Sequence, residues 1–506
     1  MDNQIADQED LVSMADISRL AGESRSTVGN WKLRSPAEFP AERGQSQRGP
    51  LYSRAEVTAW LQSKGKLAHR SAPAETLWKL TDSLRSQVRA EEAMLLLLVL
   101  LAIRVADDAL WSQLKAEDGD VDSSMRSIAD DVIHGASRLL PRETLPTHLL
   151  RQLIHTIDVL DSLTAPKVAD EIVSQATAAM GRSGGEYVTP RCVRLLVADL
   201  AGTGSVVYNP GCGAGQLIVE MKARHPNGGV QIYAQEISEW TATVARINLL
   251  INGVVADVAV GDVFGDNRFP DLRADCIVSV PPWGTHLDEN LLRDPRWIWG
   301  ELGQRDGNAA WIQHCLAHLA KDGRAVMVFP SVVLFEQGRV GRIRERIINA
   351  GLLETVVRLP ARLFRNTGLV TNVLVFRKGR GTSGGRPQDT LMVDLSDAAT
   401  TSPRSIADLS DDTVRSVAAL RNEWLEGRFT STASARSVTF DEIASNDYIV
   451  DPVRYLAAPR VDIVPADIAR RKAELVSTLG SLLRDAERTD QRILALLNGE
   501  RTGGRQ

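Results

Sequence analysis

The decamer YNPGCGAGQL, residues 208–217, ends a β-branched run and opens a helix, and the fold follows from how that junction is read. Gly211, Gly213 and Gly215 let the chain turn sharply and let its backbone approach a ligand closely, as nucleotide-type cofactors require. Their spacing is not the dinucleotide fingerprint G-x-G-x-x-G, so the turn by itself is weak evidence. Its position at a strand-to-helix junction is what gives it weight.

Outward from that turn, the same alternation repeats from 205 to 378. SVVYNP, VQIYAQ, VVADVAVGD, DCIVSV, GRAVMVFP, LLETVVRLP and TNVLVFRK read as strands with helices between them. Strand and helix in alternation predict an α/β, Rossmann-like, doubly wound and mostly parallel sheet, with ligands at the carboxyl ends of its strands. About twenty residues beyond the glycines, at the next strand end, Glu236 in YAQEIS is placed to accept hydrogen bonds from ribose hydroxyls. After a further strand, Asp262 in VGDVF sits where a carboxylate binds an exocyclic amine such as that of adenine. Three successive strand ends thus describe an adenosine pocket. The fourth is CIVSVPPWGT, residues 276–285, a short buried strand running into a Pro-Pro-Trp turn.

The flanks differ in character. In residues 14–34, Ile17, Leu20, Ala21, Val28 and Trp31 surround a Gly22-Glu23-Ser24 break, the pattern of two short helices and a tight turn. The second helix carries Arg25, Ser26, Thr27, Asn30 and Lys32, residue types suited to phosphates and base edges in a major groove. RGQSQRGPL (43–51) reads as a basic wing, and Ser53 with Glu56 as a capping box for a helix through Val57, Trp60 and Leu61. Between Arg19 and Arg54 there are seven basic residues against three acidic ones. Residues 1–66 are therefore expected to be a winged helix-turn-helix that binds double-stranded DNA; a small helical module that docks another protein is the alternative. Residues 67–183 read as a helical domain. Its longest apolar run, AMLLLLVLLAI, is shorter than the about 20 residues that span a membrane and is expected to be a core helix. After Lys378 a Gly-rich linker leads into residues 381–506. There a last helix, about 465–498, sets Leu475, Leu479, Leu482, Ala486, Thr489, Ile493 and Leu496 along a coiled-coil-like seam. That seam suits a partner subunit or a second copy; packing on its own domain is the alternative.

With 43% hydrophobic and 24% charged residues over 506 positions, the chain can bury several cores. A net charge of −5 confines any nucleic-acid contact to a local basic face. Cys192, Cys212, Cys276 and Cys315 lack paired C-x-x-C spacing, so reduced thiols and no structural metal are expected. An acidic N-terminus without a basic-then-apolar order predicts a cytoplasmic protein. His314 and His318 stand at i and i+4 with no Glu after the first and no third ligand, and are expected to be packed side chains.

Taken together, GEYVTP (185–190), NPGCGAG (209–215), Glu236, GDVF (261–264), VPPW (280–283) and RLPARLFRNTG with TNVLVFRK (358–378) resemble the modification subunit of type I restriction systems. That subunit is a DNA adenine-N6 methyltransferase of the N-6 DNA methylase family. The resemblance covers roughly residues 70–460, makes 184–380 the methyltransferase domain, and implies S-adenosylmethionine as cofactor. It puts Tyr187, Thr189 and Pro190 at the methionine end, with Asn209, Gly211, Gly213 and Gly215 against the cofactor, Glu236 on the ribose and Asp262 on the adenine. SNDYIVDPVRYL (445–456) is similar to the region that precedes helices docking a specificity subunit.

In that family the fourth motif is Asn, Asp or Ser, then Pro-Pro, then an aromatic. The adenine amine is a poor nucleophile, because its lone pair is delocalised into the ring. Its attack is helped when a side-chain oxygen and a Pro carbonyl accept its two hydrogens while the aromatic ring stacks on the everted base. Here Pro281, Pro282 and Trp283 match, but Val280 has no polar atom to offer. Loss of one preorganised hydrogen-bonding group costs about a hundredfold or more in rate. Two readings follow: a methyltransferase slowed or redirected in its acceptor, or a DNA-binding regulator that keeps the cofactor pocket without methyl transfer. A methyltransferase acting on RNA or on protein glutamine is a third, and leaves the helix-turn-helix unexplained. Ser279 is a poor substitute acceptor, since successive strand side chains point to opposite faces. Asp306 and Asn308 lie in a loop that could approach the site.

Overall fold

A computed structural model describes residues 11–21, 25–34, 39–46, 49–53, 56–57, 60–61, 77, 88–160, 164–179, 189–225, 228–364, 367–380, 382–383, 386–399, 407–456 and seven positions between 472 and 488. The described residues begin with β1 (Leu11–Ser13), α1 (Met14–Ala21), α2 (Arg25–Arg34), β2 (Glu42–Ser46) and β3 (Gly49–Ser53). The three strands form a small antiparallel sheet in the order β1-β3-β2. Ile17 and Val28, on the two helices, pack with Val12, Phe39, Tyr52, Val57 and Leu61 into one compact core. The Glu56 carboxylate accepts from the Arg43 guanidinium and ties the segment after β3 to β2; the helix it was expected to cap falls partly outside the described residues.

Next comes a helical layer: α3 (Ala90–Ala106), α4 (Asp108–Ala116), α5 (Val121–Val132), α6 (Thr147–Asp158) and α7 (Ala165–Ala179). Helix α3 is apolar almost all round, and such a helix is stable only when surrounded; Ala93 to Ile103 are all buried. Among the described residues, no helix is long and apolar enough to cross a membrane.

The main body follows: α8 (Arg191–Ala201), β4 (Val206–Pro210), α9 (Gln216–Ala223), β5 (Gln231–Glu236), α10 (Glu239–Ile251), β6 (Asp257–Val260), β7 (Ala274–Ser279), α11 (Gly307–His318), β8 (Leu319–Pro330), α12 (Val332–Phe335), α13 (Gly338–Asn349), β9 (Leu353–Arg358) and β10 (Thr371–Arg377). All seven expected strands join one sheet. The sheet also runs past 380, where composition alone suggests its end. After the hairpin of β11 (Thr382–Ser383) and β12 (Arg386–Pro387), β13 (Thr390–Asp394) pairs parallel with β9, and β14 (Ala435–Val438) closes the edge. The sheet has nine strands in the order β14-β13-β9-β10-β8-β7-β4-β5-β6. Most neighbours are parallel; β10 runs antiparallel to both β8 and β9.

Alternation along the strands feeds two cores. Val326 and Val328 of β8 face a layer holding α8, α9, α10 and α14 (Asp411–Leu425), whereas Ala325, Met327 and Phe329 face α11 and α13. From β4 the chain proceeds outward one way through β5 and β6, then returns on the other side through β7 and β8. A crevice opens outside the carboxyl ends of the strands where the order reverses in this way. The 211–215 turn lies at that switch point.

The 465–498 seam falls largely outside the described residues; Val476 and Leu479, which are described, are 62% and 58% exposed.

Candidate active site

Strands β7, β4, β5 and β6 are consecutive neighbours, so the four strand ends singled out from the sequence stand side by side along one edge of the sheet. At the end of β4 the backbone N–H groups of Gly211 and Cys212 both donate to the Gln235 carbonyl, at 2.8 and 3.0 Å. Gly211 has φ +67°, and a Cβ there would stand 3.2 Å from the Trp311 ring. Gly215, with φ +75°, lies over α10, where a Cβ would meet Ala245 at 3.3 Å. At these two positions the left-handed backbone favours glycine, and a Cβ would crowd its neighbour. Cys212, between them, is buried, and burial pushes its thiol above the ordinary range, so it stays protonated.

Glu236 secures the same loop from β5. One carboxylate oxygen accepts the Gly213 N–H at 3.0 Å and the other accepts the Ser238 N–H at 3.1 Å. A carboxylate has about four lone-pair sites, so two remain for ligand hydroxyls. Asp262, after β6, is held similarly by the Phe264 and Gly265 N–H groups at 3.1 and 3.2 Å. Asn209 is 1% exposed; its amide nitrogen donates to the Val278 carbonyl at 2.6 Å, while its Oδ1 is buried without a partner. An unpaired acceptor at the crevice costs free energy unless a donor arrives, and an amino group in the crevice would meet that need. Positive-φ glycines, two half-used carboxylates and this orphan oxygen together suit a nucleoside that carries an amine. Thr189 and Pro190 lead into α8, with the Pro190 carbonyl accepting from Val193 and Arg194. Tyr187 lies outside the described residues.

The turn after β7 is fixed from several sides. The Trp283 indole donates to the Val328 carbonyl at 2.9 Å, and its ring meets Phe364 edge-on at 5.2 Å. Thr285 Oγ1 donates to the Pro282 carbonyl at 2.8 Å and accepts from the Trp311 indole at 3.2 Å. Asn308 Oδ1 accepts the Gly284 N–H at 3.1 Å. Val280 is half-buried and packs, like Trp283, on the cluster that contains Val278, Val328 and Phe364. Ser279 is fully buried and donates to the Pro210 carbonyl at 2.9 Å, so its hydroxyl is committed to the β4 turn. Asp306 accepts from the Gly303 N–H and from Arg339.

Sequence reasoning missed four supports: Gln235, Thr285, Trp311 and Phe364. Gln235 carries the most. Its side-chain nitrogen donates to the Gly261 and Asp266 carbonyls at 3.0 and 2.7 Å, and its oxygen accepts the Arg268 N–H at 3.1 Å, which ties β5 to the segment after β6, while its carbonyl holds the turn after β4. The signal for it was a polar residue within the apolar run VQIYAQ.

His314 and His318 lie behind this edge, fully engaged. Arg296 can only donate, so His314 Nδ1 accepts from it at 2.9 Å and Nε2 carries the proton toward the Tyr208 oxygen at 3.2 Å. The His314 carbonyl takes the His318 Nδ1 proton at 2.8 Å, and His318 Nε2 receives Asn267 at 3.1 Å. Among the described residues, no group of three or more His, Cys, Asp or Glu side chains is arranged to hold a metal ion.

In the N-terminal module, Arg25, Ser26 and Thr27 open α2, and Asn30 is exposed. Lys32 is engaged within the module: its ammonium contacts Glu42 on β2 and Tyr52 on β3, the latter at 3.0 Å. One of its three N–H donors remains, and the side chain is 38% exposed.

A family model described as N-6 DNA Methylase matches residues 167–462. The type I restriction enzyme HindI methylase subunit of Haemophilus influenzae is 29% identical over 333 residues, 63% of this chain and 73% of that protein. The MjaIX methylase subunit of Methanocaldococcus jannaschii is 25% identical over 354 residues, 66% of this chain, and is matched over only 62% of its own length. Among solved structures, the type I restriction-modification methyltransferase subunit from Streptococcus thermophilus superposes with a TM-score of 0.65 at 19% identity, covering 76% of this chain and 99% of that one. A chain from a type I restriction-modification assembly gives 0.61 at 17% identity, covering 84% and 99%. At those identities the superpositions establish a shared fold.

Proposed function

We propose, from the premise that this chain belongs to the N-6 DNA methylase family, that it is the modification subunit of a restriction-modification or related defence system. In this reading it binds S-adenosylmethionine and double-stranded DNA in the cytoplasm and directs chemistry at adenine N6, with transfer slowed by Val280. The observation that carries the reading is the adjacency of four strand ends: the 280–283 turn, the 211–215 turn, Glu236 and Asp262 follow β7, β4, β5 and β6, which are consecutive neighbours in the sheet.

When bound, S-adenosylmethionine supplies an electrophilic methyl group on sulfur. Asn209 and the glycine turn would hold its amino-acid end with Thr189, Pro190 and Tyr187, Glu236 its ribose and Asp262 its adenine. Trp283 would stack on the everted base, and the Pro281 carbonyl would accept one amine hydrogen. The winged module, through Arg25, Ser26, Thr27, Asn30 and Lys32, would add DNA contacts. Target choice would come from a specificity subunit or a second copy docked on the C-terminal helix.

The full burial of Ser279, whose hydroxyl is turned to the Pro210 carbonyl at the end of β4, favours a second reading, a silent DNA-binding regulator, because that side chain would have to leave its burial to replace the missing acceptor. Calorimetry with S-adenosylmethionine, followed by methyl incorporation into DNA by the native chain and by Val280→Asn, separates the two. The slowed-enzyme reading expects cofactor binding, low native incorporation, and an increase of about a hundredfold in the Asn variant. Binding without native incorporation supports the silent reading. Absence of cofactor binding overturns both.

A further inference from the structure

We propose that the exposed apolar ridge of Val332, Phe335 and Leu369 is the wedge that enters the base stack of duplex DNA when a base is everted toward the 280–283 turn. The inference rests on the reading of that turn as the base-binding element, and goes further by naming the surface that fills the gap left in the duplex.

Position comes first. Strand β8 is the parallel neighbour of β7, so α12, which follows β8, stands at the same edge of the sheet as the 280–283 turn. The Trp283 indole, bound to the Val328 carbonyl of β8, ties that turn to that strand. On α12, Val333 and Leu334 are buried, whereas Val332 and Phe335, one helical turn apart, are 40% and 44% exposed. Both the backbone N–H and the hydroxyl of Ser331 donate to the Val370 carbonyl, at 3.1 and 3.2 Å, which brings Leu369, 54% exposed, beside the start of α12. Single exposed apolar side chains are ordinary on a protein surface; three brought together at the lip of a site mark a contact.

Charge and size name the occupant. Asn308 ties the start of α11 to the same turn through the Gly284 N–H, and Asp306, just before it, accepts from Arg339 at the start of α13. Arg305, beside Asp306, and Arg342, one turn beyond Arg339, are exposed, and neither has an ion-pair partner among the described residues. An apolar crest bordered by cations complements stacked bases bordered by phosphates. A stable protein interface takes about 20–30 residues a side, far more than this ridge supplies. A wedge between base steps needs only one or two apolar side chains.

The test uses the full chain and two duplexes of one sequence, the first intact and the second with a single abasic position at its centre. Binding is followed by anisotropy with S-adenosylhomocysteine present. The abasic duplex offers the gap without the cost of unpairing and unstacking a base, and is expected to bind about tenfold more tightly. Phe335→Ala and Leu369→Ala should each reduce that preference. Arg342→Gln should instead weaken both duplexes alike and lower the dependence on salt. Equal or weaker binding of the abasic duplex overturns the inference, as does a preference that survives both alanine variants, the result expected if the ridge docks a protein instead. The native comparison needs no variant, so a misfolded substitution leaves the test intact. Cofactor calorimetry on the same sample reports separately on the methyltransferase reading: binding of S-adenosylmethionine without a preference for the gap defeats only the present inference.

Discussion

Gln235 is fully buried on a strand that otherwise reads as apolar, and each polar atom of its amide is used. A buried amide that satisfies two carbonyls and one N–H cannot be replaced by hydrocarbon without leaving those groups unpaired. Gln235→Leu is expected to cost about 1–3 kcal/mol of stability and to weaken S-adenosylmethionine binding, because Gly211 and Cys212 hang from the same residue's carbonyl. Urea unfolding and calorimetry on the variant check both effects; a change in stability alone would mean that the turn does not depend on this tie. Val280 poses the opposite case. Its side chain is only half-buried, so Val280→Asn changes the chemistry offered to a base more than the fold, and the gain in incorporation is the quantity to measure.

At the scale of elements, the glycine turn and helix α11 are fitted to each other. The Trp311 ring lies where a side chain on residue 211 would be, and the backbone there has φ +67°. Gly211→Ala combines a left-handed strain with a crowded ring and should destabilise by about 1–3 kcal/mol. Thermal melts read that cost, and a titration with cofactor should show weaker binding in the same variant. Helix α11 also sets a pH dependence. Burial, reinforced by His318 and Arg296, holds the His314 imidazolium well below its usual range, and burial lowers His318 as well. A histidine depressed in the folded state takes up protons more readily when unfolded, so stability is complete above about pH 6.5, the unfolded value, and falls as the pH drops below it. Denaturant midpoints measured from pH 7.5 to 5 should decline on the acid side. His314→Gln should flatten that decline even though it lowers the midpoint at neutral pH.

For the whole molecule, α10 is the joint. Val244, Ile247 and Ile251 along one stripe belong to the core of the helical layer, while Ala242, Ala245 and Leu249 along another belong to the core of the sheet. The two layers therefore share a helix, and residues 90–179 are not a separable appendage. Ile247→Ala is expected to cost about 2–5 kcal/mol and to lower the melting of both layers together. Scanning calorimetry distinguishes a single shifted transition from two; independent melting of the helical layer would disprove the coupling. Elsewhere Glu354, fully buried, accepts from Arg421 at 2.7 Å and lies 3.4 Å from Arg324, which fastens α14 to β8 and β9. Strands β13 and β14 and helix α14 are thus built into the main body.

The sequence by itself determined the repeating strand-and-helix order, the four strand-end motifs and the helical layer, because periodicity, turn glycines and apolar runs are properties of neighbours along the chain. Even the anomaly at Val280 was legible there, as a missing polar atom in an otherwise complete motif. The tertiary structure alone decided which strand ends stand next to one another, that β13 and β14 extend the sheet, that Lys32 is held by Glu42 and Tyr52, and that Ser279 donates to Pro210 while Asn308 accepts from Gly284. It also assigned Gln235 its role. Those facts concern partners far apart in sequence, and hydrogen bonds of that range are set by how the sheet and its covering helices close around one another, which no local pattern encodes.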